Sequence, residues 1–194
     1  PAMRLCALLW IPLLFTALTA VAQDRPASLV LNGGYERTGG WSKPASAQIV
    51  ETGRAGRALM FDGEGGSSQE VMPEGAGNTF SCSVEMRTED IQGQGYAYAA
   101  IYQLNAAGDW VEFKDFAQVR GTQDWTRYDY TFSLVPGAEM ISVRCGIYAA
   151  GGKAWFDNWT LVAGPRAFGF GEVSAGAAGA RRENAIAILR QPDL

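Results

Sequence analysis

From Thr126 to Leu134 the chain alternates without a break. Tyr128, Tyr130, Phe132 and Leu134 fall on one side, while Arg127, Asp129, Thr131 and Ser133 fall on the other. Successive side chains of an extended strand point to opposite faces, so this segment predicts a strand that covers a core and meets water. The same period places Phe80, Cys82, Val84 and Met86 on one face, and further on Ile141, Val143, Cys145 and Ile147. Other short runs rich in β-branched and aromatic residues lie at 28–31, 47–52, 58–61, 68–71, 95–104, 110–116 and 154–162. Turn formers separate them, among them Asn32-Gly33-Gly34, the run from Asp62 to Gly66, Pro73-Glu74-Gly75, the run from Asn105 to Asp109, Pro136-Gly137 and Gly151-Gly152. Many short strands at close spacing predict an all-β fold, an antiparallel β-sandwich of jelly-roll type spanning residues 27–164.

Both ends break this pattern. Residues 3–22 carry one positive charge, an apolar run from Leu5 and the small-x-small ending Ala20-Val21-Ala22, as a secretion signal does. As a helix, the stretch from Leu5 to Ala22 would measure about 27 Å, enough to cross a hydrocarbon layer. The segment therefore reads either as a cleaved signal or as a retained N-terminal transmembrane helix. Residues 165–194 form a Gly/Ala-rich arm followed by a short helix over 181–190, with Ala185, Ile188 and Leu189 on one face and Pro192 beyond its end.

Composition narrows the chemistry. About 140 residues between the two ends suffice for one domain with a real core. The whole chain has a net charge of -4 and no histidine. No basic groove is offered to DNA or RNA, so nucleic acid is excluded as a partner. Without imidazole there is no His-containing triad, and the commonest zinc ligand is missing. The neighbouring carboxylates Glu89/Asp90 and Asp62/Glu64 lie in turn-like sequence and read as solvated loop charges, so no enzymatic activity is expected. Cys82 and Cys145 both fall on apolar strand faces, which leaves open a disulfide in an oxidising compartment or two buried free thiols.

Several signposts occur in order along the chain: Asn32-Gly33-Gly34-Tyr35-Glu36, then Trp41, then Asn105 to Asp109 between two strands. Gly121 to Thr126, Pro136-Gly137 and Ala154-Trp155-Phe156-Asp157-Asn158 follow. Over about 135 residues this series resembles the galactose-binding-like jelly-roll carbohydrate-binding modules of secreted bacterial glycosidases. The resemblance implies a structural calcium ion held by Glu36 and Asp157, with carbonyl oxygens completing the shell. It also implies sugar rings stacked on aromatic faces, for which Trp41, Tyr98, Tyr102 and Trp110 are the platforms, with Gln103 and Glu112 as polar partners. Fold does not dictate function, and Tyr96, Tyr98, Tyr102 and Leu104 share a strand face with Ala100 that reads as core as readily as cleft.

Two functions follow as expectations. The first is a non-catalytic structural subunit at the periplasmic face of the inner membrane, anchored by residues 3–22 and bound to a bacterial membrane protein complex, photosynthetic or respiratory. The alternative is a secreted or periplasmic module that binds polysaccharide through surface aromatics. A polysaccharide lyase or hydrolase of sandwich type is the third reading, and it lacks a recognisable catalytic group.

Overall fold

A computed structural model describes residues 27–164. Seven strands follow one another: β1 (Ala47–Val50), β2 (Ala58–Asp62), β3 (Gly65–Val71), β4 (Thr79–Leu104), β5 (Trp110–Val119), β6 (Gly121–Ser133) and β7 (Met140–Ala163). All pairs are antiparallel. The long strands β4 and β7 each merge two segments that the sequence separates, because each bends and passes from one sheet into the other. In the first sheet the order is β1, β2, the second half of β7, the first half of β4, then β6. In the second it is β3, the first half of β7, the second half of β4, then β5. This is the jelly-roll order, as the alternation predicts. The run at 28–31 is not a strand, although the Leu29 amide donates to the Leu161 carbonyl at 2.7 Å.

Four crossings join the sheets at one end, between β2 and β3, within β4, between β5 and β6, and within β7. They turn on residues with left-handed backbone, among them Asp90, Gly93, Ala149 and Gly152. The β4 and β7 crossings pack so closely that a side chain on Gly152 would stand 2.3 Å from the Asp90 carbonyl oxygen. Glycine is required there for space as well as for conformation.

Between the sheets lies the core. The first sheet contributes Leu59, Phe61, Phe80, Val84, Met86, Phe156 and Leu161; the second contributes Val71, Ala97, Ala99, Ile101, Ile141, Val143 and Ile147. Cys82 and Cys145 belong to the same core as free, buried thiols, which corrects the possible disulfide. Cys82 pairs with Tyr130 and Leu161 in the first sheet, whereas Cys145 pairs with Ser67 and Ala99 in the second. Facing sheets stand about 10 Å apart, while a disulfide needs its α-carbons within about 7 Å.

The leader or anchor at 3–22 and the arm and helix of 165–194 lie outside the described residues. Among the described residues, no helix is long and apolar enough to cross a membrane.

Candidate functional site

The outer face of the second sheet is built from the alternate positions that the core leaves over. Since Ala97, Ala99, Ile101 and Gln103 of β4 point inward, Tyr96, Tyr98, Ala100 and Tyr102 point out. On β7 the outward set is Ser142, Arg144, Gly146 and Tyr148; on β3 it is Gly66, Ser68 and Glu70. From β5, register brings Gln118 beside Tyr98, Asp115 beside Ala100, Phe113 beside Tyr102 and Trp110 beside Leu104.

Tyr98 forms the floor. It pairs with Gly146, which pairs with Gly66, and a methyl group on Gly66 would stand 2.7 Å from the Tyr98 hydroxyl oxygen. The phenol therefore reaches across two strands because neither carries a side chain to lift it. Burial pushes its hydroxyl up to about 12. On one side stand Tyr96 and Tyr148, with ring centroids 6.0 Å apart. On the other runs a ladder in which Trp110 meets Phe113 edge-on at 5.3 Å, Phe113 stacks on Tyr102 at 5.3 Å, and the Arg144 guanidinium lies 4.2 Å from the Tyr102 ring centre. From Tyr96 to Tyr102 the strand covers about 20 Å. Trp110 is 63% exposed and Tyr148 59%, so the rings are open to a ligand.

Polar groups are set among these rings. The Tyr96 hydroxyl donates to Asp115 Oδ2 at 2.9 Å, and Gln118 Nε2 donates to the same oxygen at 3.1 Å. That bond to Asp115 holds the Tyr96 phenol above its ordinary value. Ser68 and Ser142 each donate a hydroxyl to Glu70 Oε1 at 3.2 Å.

Of the six residues proposed for sugar contact, the structure gathers Tyr98, Tyr102 and Trp110 on this face. The remaining three lie elsewhere. Trp41 is buried, with its ring centroid 5.3 Å from Tyr35 and 5.8 Å from Trp159, so packing rather than a ligand occupies its faces. Gln103 is buried with its amide fully engaged, donating to the Ser133 carbonyl and accepting from the Val135 amide. Glu112 is exposed but pairs with Gln103, which puts it on the opposite side of the sheet from Tyr102. Sequence reasoning missed Phe113, Arg144, Tyr148, Glu70, Asp115 and Gln118. Alternation around Cys145 already points Arg144 and Tyr148 outward, but only strand pairing shows what they meet.

Glu36 and Asp157 approach the turn between β1 and β2 from two sides. Arg57 donates its amide to Glu36 Oε1 at 2.9 Å, and Ala55 donates to Asp157 Oδ2 at 3.1 Å. Asn158 donates its own amide to Asp157 Oδ1 at 2.7 Å. Asp157 is completely buried, has no lysine or arginine in ion-pair contact among the described residues, and titrates above its ordinary range chiefly because of burial. A side chain on Gly34 would come within 3.8 Å of both Asp157 Oδ1 and the Glu36 side chain. A buried carboxylate with no cationic side chain beside it and a second carboxylate nearby fit a hard cation in kind. Among the described residues no three acidic, cysteine or histidine side chains converge, so carbonyl oxygens and water would have to complete such a shell.

A separate cleft of about 460 Å³ opens between the β3–β4 and β6–β7 loops, lined by Met72, Pro73, Glu74, Leu134 and Glu139 among others. No aromatic ring lines it, so it lacks the stacking surfaces of the sheet face.

The sequence matches no protein-family model and no curated relative. In fold, the domain is similar to the xylan-binding domain from CBM 22, with TM-score 0.54 and 16% identity over 73% of this chain and 99% of that one. It is also similar to a family 16 carbohydrate-binding module, with TM-score 0.52 and 20% identity over 69% of this chain and 99% of that one. A third likeness is to TmCBM61 in complex with β-1,4-galactotriose, with TM-score 0.51 and 15% identity over 71% and 99% of the two chains. The enzymatically active domain of tailspike protein 4 from bacteriophage CBA120 matches at TM-score 0.51 and 13% identity, and there this chain spans only 21% of the other's length. These likenesses overturn the expected membrane subunit. These four structures are named as carbohydrate-binding modules or domains and a phage tailspike, none of them as part of a photosynthetic or respiratory assembly. The membrane-complex partner and the anchored position at the periplasmic face of the inner membrane fall with it. The domain is an antiparallel jelly roll that resembles carbohydrate-binding modules.

Proposed function

We propose that this chain is a non-catalytic polysaccharide-binding module that holds its ligand along the outer face of the second sheet. One observation carries the reading: open aromatic rings gather on the water-facing side of a single sheet, around a tyrosine laid across two glycines. Large exposed aromatic surface is costly to leave in water and marks a contact site. Sugar rings have one flank of C–H bonds and a rim of hydroxyls. The first suits Tyr98 and the open face of Trp110, and the second suits Gln118, Glu70 and the Tyr148 hydroxyl. A trough about 20 Å long takes several linked rings rather than one. In the same reading Glu36 and Asp157 hold a calcium ion that braces the β1–β2 turn and stands apart from the ligand. The similar structures supply the precedent: one is named a xylan-binding domain and another was solved with β-1,4-galactotriose.

The test is calorimetry of the full chain against xylan, galactan, glucan, and acidic polymers such as glucuronoxylan. Binding to at least one is expected, weakened about tenfold or more in Tyr98→Ala and in Trp110→Ala. Trp110 is exposed, so its removal should leave thermal stability nearly unchanged. Binding that survives both substitutions would remove the face from consideration.

A further inference from the structure

We infer that the ligand of this face is an acidic polysaccharide, with carboxylates on its sugar rings, and that Arg144 selects it. The inference rests on the reading of the face as a polysaccharide site and goes beyond it to the class of sugar.

Arg144 differs from the other arginines placed on the sheets. Arg87 lies 3.5 Å from Glu89 and Arg127 lies 3.0 Å from Asp129. Of the loop arginines, Arg54 and Arg57 reach Glu85 and Glu51, while Arg37 and Arg120 are exposed to water rather than half-buried. Arg144 is half-buried, yet among the described residues it has no carboxylate within ion-pair distance. Its only hydrogen bond there runs from Nε to Ser142 Oγ at 3.0 Å, while the guanidinium plane rests over Tyr102. Both terminal amino groups are left with donors to spare.

No carboxylate makes direct ion-pair contact with Arg144 among the described residues; Glu70 is joined to it only through the Ser142 hydroxyl. Facing outward near Arg144 are Ser68 and Glu70 of β3, Tyr96, Tyr98 and Tyr102 of β4, Phe113, Asp115 and Gln118 of β5, and Ser142 and Tyr148 of β7. Glu70 accepts two serine hydroxyls, and Asp115 accepts Tyr96 and Gln118. Lys114 pairs with Ile101 and lies on the opposite side of the sheet. Among the described residues Arg144 is the cation set within the face, whereas Arg120, exposed just past β5, lies at its Tyr96 end and donates to the Gln94 carbonyl. A planar guanidinium held on a ring offers a carboxylate two parallel donors, and partial burial strengthens that pair. Tyr98 pairs with Gly146 and Arg144 with Ala100, two positions along the β4–β7 ladder and on the same face, so a ring stacked on the tyrosine brings a carboxylate on its edge toward the guanidinium.

The experiment compares glucuronoxylan and polygalacturonate, each with its carboxyl-reduced neutral form, as ligands of the full chain. At least one acidic form should bind about tenfold more tightly than its reduced counterpart, the size of one charge-assisted hydrogen-bonded pair. The preference should disappear in Arg144→Gln, persist in part in Arg144→Lys, and weaken as salt is raised. Equal binding of acidic and reduced forms would overturn the inference while leaving the polysaccharide face intact. So would an acidic preference that Arg144→Gln leaves unchanged. Failure to bind any of these polymers or neutral xylan, galactan or glucan would overturn the face itself. Circular dichroism and melting of both variants separate lost selection from lost folding.

Discussion

Asp157 concentrates the residue-scale physics of the fold. Its carboxylate is buried, three backbone amides (Ala55, Asn158 and Arg54) lower its titration, and burial still outweighs them and raises it above the ordinary 3.8. Between that value and the raised one the native state holds more proton than the unfolded chain, so this group's contribution to stability falls as pH rises. In chelator, the urea-unfolding stability of wild type should therefore lose ground to Asp157→Asn as pH rises above about 4, the ordinary carboxylate value. The variant gives up one acceptor oxygen at every pH, which offsets the curve without changing its slope. Millimolar calcium should raise the melting temperature of wild type and leave Asp157→Asn where it was. Identical melting of wild type with calcium and with chelator would end the calcium assignment.

At the scale of elements, the crossings decide how the sandwich closes. Ala149 takes a left-handed backbone at φ 46°, a conformation that costs an alanine about 1–2 kcal/mol, and its side is open to water. Ala149→Gly is predicted to gain about 0.5–1 kcal/mol after the greater freedom of the unfolded glycine is subtracted. Gly152→Ala should lose about 2 kcal/mol or more, because strain adds to a collision with the Asp90 backbone. Denaturant midpoints of the two variants should move in opposite directions. A shift of both the same way would mean that the crossings are not where the sandwich is locked.

For the molecule as a whole, the two sheets act as a closed clamp around their thiols. Burial pushes Cys145 up to about 12 and Cys82 higher still, so neither forms a useful fraction of thiolate at neutral pH. Both should resist alkylation in the native chain and react together once denaturant passes the unfolding midpoint, as peptide mapping would report. Modification of Cys82 or Cys145 well below that midpoint would indicate a sandwich that opens locally.

Much of this architecture is legible in single segments. Tyr128 to Leu134 and Ile141 to Ile147 announce half-buried strands because a period of two depends only on local backbone geometry. Turn residues such as Asp62 to Gly66 and Gly151-Gly152 mark the crossings for the same reason. The proposed binding face was less legible. Tyr96, Tyr98 and Tyr102 could be core or surface, since the opposite positions Ala97, Ala99 and Ile101 are apolar too. The decision lay with the facing sheet, whose Phe61, Phe156 and Met86 share one core with Ala97, Ala99 and Ile101 and so leave the tyrosines on the outer side. Trp41 failed as a platform because Tyr35 and Trp159, distant in sequence, close over it. Arg144 gained its proposed role from Tyr102 and Tyr98 beside it and from the lack of a carboxylate in direct contact among the described residues. The sequence by itself determined most of the strands, the inward faces of those that alternate cleanly, and the lack of imidazole chemistry. Tertiary structure alone decided which rings remain open and which charge lacks a partner, because both depend on contacts between segments that no local pattern encodes.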